Sequence, residues 1–242
     1  MGKRLITQRR GRGTSTYRAP SHRYISQIKH RKYDQKEKNV NYGRIIDLVH
    51  CPGHSAPLAR VRYEDGEQVY MAAPEKVAVN DIIASGIEAP VQDGNTLPLN
   101  KIPEGMSIYN IEKNPGDGGK FCRSSGAFAK IVTKFSNKIV IKFPSKEQKS
   151  FNPECRATIG IVAGSGRTEK PFVKAGNRFY AMKARNKLYP RTSGVSMNSV
   201  DHPFGSGRGS HMGKPATPPR NASPGRNIGL IRASRTGRRK KK

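Results

Sequence analysis

Between residues 43 and 164 the chain alternates short apolar runs with polar turns, and the period is that of strands. GRIIDLVH (43–50), PLARVRY (57–63) and EQVYMAAP (67–74) are each too short for a typical helix. The second and third alternate apolar with polar positions, as a half-buried strand does. Glu64-Asp65-Gly66 between them marks a hairpin turn in which Gly66 supplies a positive φ. DIIASG (81–86) follows as a fourth strand, and EAPVQDGNTLPLNKIPEG (88–105) breaks the composition and reads as a connector. A second set opens at MSIYNIE (106–112), continues with FAKIVTKF (128–135) and KIVIKF (138–143) on either side of a Ser136-Asn137 hairpin, and closes with RATIGIVAG (156–164). Within PFVKAGNRFYAMKAR (171–185), Phe172, Ala175, Phe179 and Met182 fall three or four residues apart, which predicts one short helix. The fold class predicted is mainly β: two small barrels in tandem with irregular ends.

Charge changes the picture at both ends. The 242 residues include 46 Lys and Arg against 17 Asp and Glu, a net charge of +29. Few soluble enzymes tolerate that self-repulsion without a polyanion to neutralise it. Hydrophobic residues make up 34%, below the roughly 45–50% of ordinary globular chains, so one or two small cores are expected and not one large one. Residues 1–33 hold ten bases and no acid, and residues 183–242 hold fifteen bases with Asp201 as their only acid. The ends therefore carry +24 of the charge and the middle only +5. These shifts set the expected organisation: a basic extension over 1–34, a first barrel over 35–86, a second barrel with the short helix over 87–185, and a basic Gly/Pro-rich extension over 186–242. Such ends cannot fold by burying themselves.

A charge run is usually a solvated tail. Two long ones flanking a near-neutral body, with Tyr17, Tyr24 and Tyr33 interspersed, point instead to nucleic acid. Arginine bridges phosphates in a bidentate way and tyrosine stacks on an unpaired base. A membrane surface would want an amphipathic helix with a continuous apolar face, and the tails have too few large apolar residues to make one. No apolar run approaches the ~18 residues needed to span a bilayer, so a soluble, intracellular protein is expected. Cys51, Cys122 and Cys155, odd in number and widely spaced, fit a reducing compartment. His50-Cys51-Pro52-Gly53-His54 offers three metal-type ligands, but no second pair follows at zinc-ribbon spacing, so no metal is expected.

SVDHPFGSGRGSHMGKP (199–215) looks like catalytic chemistry on one line. Ser199, Asp201 and His202 are near-neighbours, whereas a triad is normally assembled from separate parts of a fold. Pro203 pushes His202 into extended backbone, and no GxSxG elbow exists to hold a serine. The phosphate-loop reading of NPGDGGKF fails as well, since Asn114 and Phe121 stand where glycine and Ser/Thr belong. Gly205, Gly207 and Gly209, beside Arg208 and Lys214, have another use: they let backbone amides press against phosphates.

Four segments, GNTLPLNKIPEG, GGKFCRSSGAFA, ECRATIGIVAG and GVSMNSVDHPFGSGRG, resemble the L-two family of large-subunit ribosomal proteins. The resemblance covers essentially the whole chain, and RRGRGTSTYRAPSHRY resembles the archaeal branch. It implies an OB-like barrel, then an SH3-like barrel, then a basic extension threading into rRNA. It also implies a structural protein of the large subunit in the cytoplasm, not an enzyme, which binds rRNA and supports subunit association, tRNA binding and the organisation of the peptidyl transferase centre. The partners implied are large-subunit rRNA, neighbouring ribosomal proteins, the small subunit at the intersubunit face and the tRNA region, with no membrane. No cofactor is implied beyond Mg2+ carried by the rRNA. Arg156 matches a family arginine associated with rRNA binding; read from the residue alone it is a surface arginine or a local ion pair. His202 matches a family histidine proposed to assist peptide-bond formation, where the residues themselves favour docking to RNA. The remaining RNA-binding candidates are Arg9, Arg10, Arg12, Tyr17, Arg18, Arg23, Arg123, Lys183, Arg185, Arg191, Arg208, Lys214, Arg238 and Arg239. One departure is His54, where bacterial members carry an arginine; an RNA contact there would be weaker or pH-dependent.

Overall fold

Each of the eight predicted strand runs forms a strand, and two further strands bring the number among the described residues to ten. The structure, a computed structural model, describes residues 2–32 and 40–233. Its strands are β1 (Asn41–Val49), β2 (Leu58–Tyr63), β3 (Gln68–Ala72), β4 (Ile82–Ser85), β5 (Thr96–Pro98), β6 (Ser107–Tyr109), β7 (Ala129–Lys134), β8 (Ile139–Lys142), β9 (Gln148–Phe151) and β10 (Arg156–Ile159). They form one sheet in the order β3-β2-β1-β4-β5-β10-β6-β7-β8-β9. The predicted first and second strand sets lie at its two ends. They meet at β5, which pairs antiparallel with β10 along its whole length while its Thr96 also pairs in parallel with Ser85 of β4.

Two strands differ from the sequence reading, each for a physical reason. β5 falls inside the predicted connector because all three of its residues are buried, so nothing alternates. β9 reads Gln-Lys-Ser-Phe, with its first three residues exposed and only Phe151 buried, and so gives no apolar run. Both hairpins form as expected. Tyr63 N–H donates to Glu67 O across the first, where Gly66 sits at φ +86°, and Phe135 N–H donates to Lys138 O across the second.

The apolar faces gather into neighbouring clusters. Ile45, Val61, Tyr63, Met71 and Ile83 pack at the first end of the sheet, and Leu97, Leu99, Ile102, Ile108, Ile131, Ile139 and Ile141 at the second. Ile28, Leu58 and Tyr109 share a smaller cluster, in which the Tyr109 hydroxyl donates to Ala72 O. Full burial of each Ile or Leu is worth roughly 1.5–3 kcal/mol, so these few short strands hold without a large core.

The chain divides into two compact units, Pro20–Val173 and a second made of the residues up to Ala19 together with those from Lys174 onward. The sheet lies in the first. Among its described residues the second contains two short helices, α1 (Ile6–Gly11) and α2 (Ala175–Lys183), and a single 3-10 turn at Gly194–Ser196, and is otherwise irregular. α2 forms where the spacing predicts it, yet it buries none of its residues; Phe179 is 40% and Tyr180 69% exposed. The ends do bury something, contrary to expectation. Leu5, Phe204 and Ile228 form a small core with Val195, joining residues from opposite ends of the chain. Among the described residues no helix is long and apolar enough to cross a membrane.

Candidate nucleic-acid interface

In the unit formed by the ends, the segment around His202 is tied down by its own backbone. Asp201 and His202 N–H groups both donate to Asn198 O, and Phe204 is anchored in the small core. Phe204 N–H in turn donates to His202 Nδ1 at 3.0 Å, and the two rings stand 5.2 Å apart, tilted. A ring that accepts at Nδ1 carries its proton on Nε2 when neutral. His202 therefore offers an N–H donor, and burial lowers its pKa below the ordinary value. Asp201 does not orient it: the carboxylate lies 3.3 Å from Lys3 Nζ, whose backbone N–H also bonds Val200 O. This is the cationic neighbour that a lone acid among so many bases requires. Ser199 makes no hydrogen bond to the imidazole among the described residues. The three residues line up in sequence without assembling into a triad.

His202, Gly205, His211 and Lys214 border an open hollow of about 360 Å³. The predicted glycines around it separate in role. Gly207 sits at φ +95° with open space where a side chain would go, which suits close approach of an anion. Gly209 is similarly uncrowded, with only the His211 ring near. Gly205 is different: a Cβ there would strike the carbonyl oxygens of Met197 and Asn198, so its close approach is to this chain's own backbone. Gly194, which the motif reading passed over, lies against the His202 ring so tightly that any Cβ would displace it. The signal for it in the sequence is its place at the head of GVSMNSVDHPFGSGRG, eight residues before His202.

The cations of this unit are mostly open. Arg9, Arg10, Arg12, Arg18, Lys183, Arg185, Arg191, Arg208 and Lys214 are exposed, and Tyr17 is half-buried. Among the described residues Lys3–Asp201 is the unit's only ion pair. Arg9 and Arg10 stand in the last turn of α1. Asn186 donates to the carbonyls of Ser15 and Arg18, tying the N-terminal segment to the residues after α2. Arg238 and Arg239, like Tyr33, lie outside the described residues.

In the sheet-bearing unit, Arg156 is not at the surface. It is 7% exposed, and its Nη2 and Nε donate to Glu112 Oε1 at 2.8 and 3.2 Å. Its Nη1 donates to Arg31 O at 2.8 Å. Of the readings open from sequence, an rRNA contact, a surface arginine or a local ion pair, the burial removes the surface arginine and the bonds to Glu112 make the ion pair. Glu112 is fully buried and also accepts from the backbone N–H groups of Arg156, Gly116 and Gly118. Burial pushes its carboxyl up, but the hydrogen bonds and charge of Arg156 bring it below the ordinary value. Beside it the buried His30 bonds Asn110 O through Nε2 at 2.6 Å. Burial, reinforced by the Arg156 charge, lowers the His30 pKa to about 4. Arg31 completes the set by pairing with Asp65 and Glu67. Together these bonds fasten the basic stretch Lys29–Lys32 onto the sheet.

The other candidates of this unit, Arg23 and Arg123, are exposed. His54, whose pKa is lowered by burial and then by the Arg123 charge, points its Nδ1 at Cys51 Sγ, 3.2 Å away. Cys51 is buried, and among the described residues no three His, Cys, Asp or Glu side chains come together to hold a metal ion.

Comparison with known proteins bears on both units. The family model described as Ribosomal Proteins L2, RNA binding N-terminal domain, matches residues 2–85, and Ribosomal Proteins L2, C-terminal domain, matches residues 92–222. The chain is 53% identical over 241 residues to the large ribosomal subunit protein uL2 of Methanosphaera stadtmanae, covering 99% of this chain and 100% of that one. It is 52% identical over 241 residues to the protein of that name from Methanothermobacter thermautotrophicus, with the same coverage. For that of Haloarcula marismortui the identity is 53% over 238 residues, covering 98% of both.

Proposed function

The chain belongs to the L2, or uL2, family of large-subunit ribosomal proteins, and from that premise we propose that its ends dock into rRNA as open arrays of cations while the sheet holds a basic strap in place. It is a structural, rRNA-binding constituent of the large ribosomal subunit and not a classical enzyme. The observation that carries the docking reading is the imbalance in the unit formed by the ends, where exposed arginines and lysines outnumber a single carboxylate already held by Lys3. Only a polyanion supplies the missing charge at that density. Gradient sedimentation of the cellular pool tests this: the chain should travel with large subunits, and a free pool carrying mixed RNA would refute it.

The segment 199–215 supports docking rather than chemistry at His202. In the neutral ring Nε2–H is a donor suited to a phosphate or base edge, and using Nε2 as a base would need the other tautomer and the loss of the bond from Phe204 N–H. Gly207 and Gly209, with Arg208 and Lys214, bring bare backbone and charge to the same place. Support for subunit association, tRNA binding and the peptidyl transferase centre then follows from shaping rRNA. His202→Gln subunits that assemble fully but fail at peptide-bond formation would restore the catalytic reading.

A further inference from the structure

One face of the first strand set carries cations that the protein leaves unanswered. Arg44 on β1 stands directly opposite Arg62 on β2, and Ile82 of β4 stands opposite Arg44 on its other side. Both arginines are exposed, and neither side chain has an ion pair or hydrogen bond among the described residues. Like charges directly opposite one another destabilise a sheet. Asp47 and Glu64, exposed along and beside the same strands, pair with neither, and Asp65 and Glu67 of the adjoining turn are taken by Arg31. Arg60, two residues from Arg62 and on the same face, shows the contrast: its Nε and Nη2 both go to Gln68 Oε1, at 3.2 and 3.0 Å. The register that opposes the two arginines is held by Gly43, where a Cβ would lie 2.7 Å from Val61 Cγ1 and 2.9 Å from Tyr63 Cδ1. Flanking them are Tyr42, 44% exposed and two residues before Arg44, and Ile82, 64% exposed.

We propose that Arg44 and Arg62 grip one phosphate of the rRNA between them, with an adjacent unpaired base stacked on Tyr42. This rests on the rRNA-binding reading above and adds to it a docking face on the sheet, distinct from the basic ends. A phosphate seated between two guanidinium forks turns their repulsion into two charge-assisted contacts. The tyrosine ring offers a sequence-tolerant stacking platform beside it, and Ile82 gives the sugar an apolar neighbour. Opposed arginines without a phosphate weaken the strand pair, so the cost in the free protein is itself a mark of the role.

The test uses the full chain and large-subunit rRNA, reading affinity against salt. Arg44→Gln with Arg62→Gln should lower the slope of log affinity on log salt by about one, the amount expected for one phosphate contact, and lower affinity about tenfold near 0.1 M salt. The RNA-free double variant should unfold no sooner than wild type. Tyr42→Leu should lower affinity by a similar factor with the slope unchanged, and ultraviolet cross-linking of wild type should attach RNA at Tyr42. An unchanged slope in the double variant, while wild type binds normally, overturns the proposal and leaves the rRNA-binding reading standing. Loss of a neighbouring ribosomal protein from reconstituted subunits, with RNA affinity intact, overturns it in favour of a protein partner. Failure of wild type to bind rRNA at all would overturn the underlying reading as well.

Discussion

Replacing Arg156 with alanine should cost stability before it costs RNA affinity. The side chain contributes two bonds to Glu112 and one to the Arg31 carbonyl, from a position 7% exposed. Its removal leaves a fully buried carboxylate without its counter-ion. Breaking a buried pair in this way typically costs about 3–5 kcal/mol. Three backbone N–H groups still reach Glu112, which favours the lower end of that range. Against a total stability of about 5–15 kcal/mol this is a large fraction. For a unit of this size it should lower the unfolding midpoint by roughly 10 °C. Denaturant titration of the free protein, followed by circular dichroism, reads the loss directly. Pairing the change with Glu112→Gln should recover part of it, because the uncompensated charge is then gone. RNA affinity of the variant, measured well below its midpoint, should fall modestly as the Lys29–Lys32 strap loosens. An Arg156→Ala protein as stable as wild type but with rRNA binding reduced by about 1–3 kcal/mol would refute this reasoning and make Arg156 a direct contact.

Other outcomes follow from the same geometry. His30 is held neutral in the folded protein with a pKa near 4, whereas in the unfolded chain it titrates near 6.5. The unfolded state therefore binds more protons between those values, so stability present above about pH 6.5 should be lost as pH falls towards 4; His30→Gln should flatten that window in a urea titration series. Gly205→Ala should disrupt the 197–205 segment, since the new methyl meets backbone carbonyls, and should impair incorporation into subunits more than His202→Gln does. Gly194→Ala should displace the His202 ring without changing its chemistry, visible as a shifted imidazole resonance. Total rRNA affinity should drop by about 10³–10⁵ between 50 and 200 mM salt if 6–10 phosphates are contacted.

The strands with alternating faces are legible because burial on one side writes itself into neighbouring residues. Leu58–Tyr63 and Ala129–Lys134 show it plainly. β5 and β9 are not, one being buried throughout and the other nearly all exposed. Contacts between distant residues leave no such trace. Glu112 and Arg156 are 44 residues apart, and nothing local marks them as partners. The core of Leu5, Phe204 and Ile228 likewise depends on three apolar residues scattered through basic segments. The absence of a triad at Ser199-Asp201-His202 can be argued from sequence, because adjacency and Pro203 already speak against it. That Asp201 orders local backbone or binds a cationic neighbour is foreseeable from its isolation, but that the neighbour is Lys3 is not.

Cross-linking the chain to RNA in cells, purifying it under denaturing conditions and sequencing the attached RNA asks whether it is an rRNA-binding constituent of the large subunit. Large-subunit rRNA should be the dominant species, with cross-links concentrated on the residues up to Lys32 and on those from Lys183 onward. A broad mixture of messenger and other transcripts, with large-subunit rRNA at background level, would contradict it.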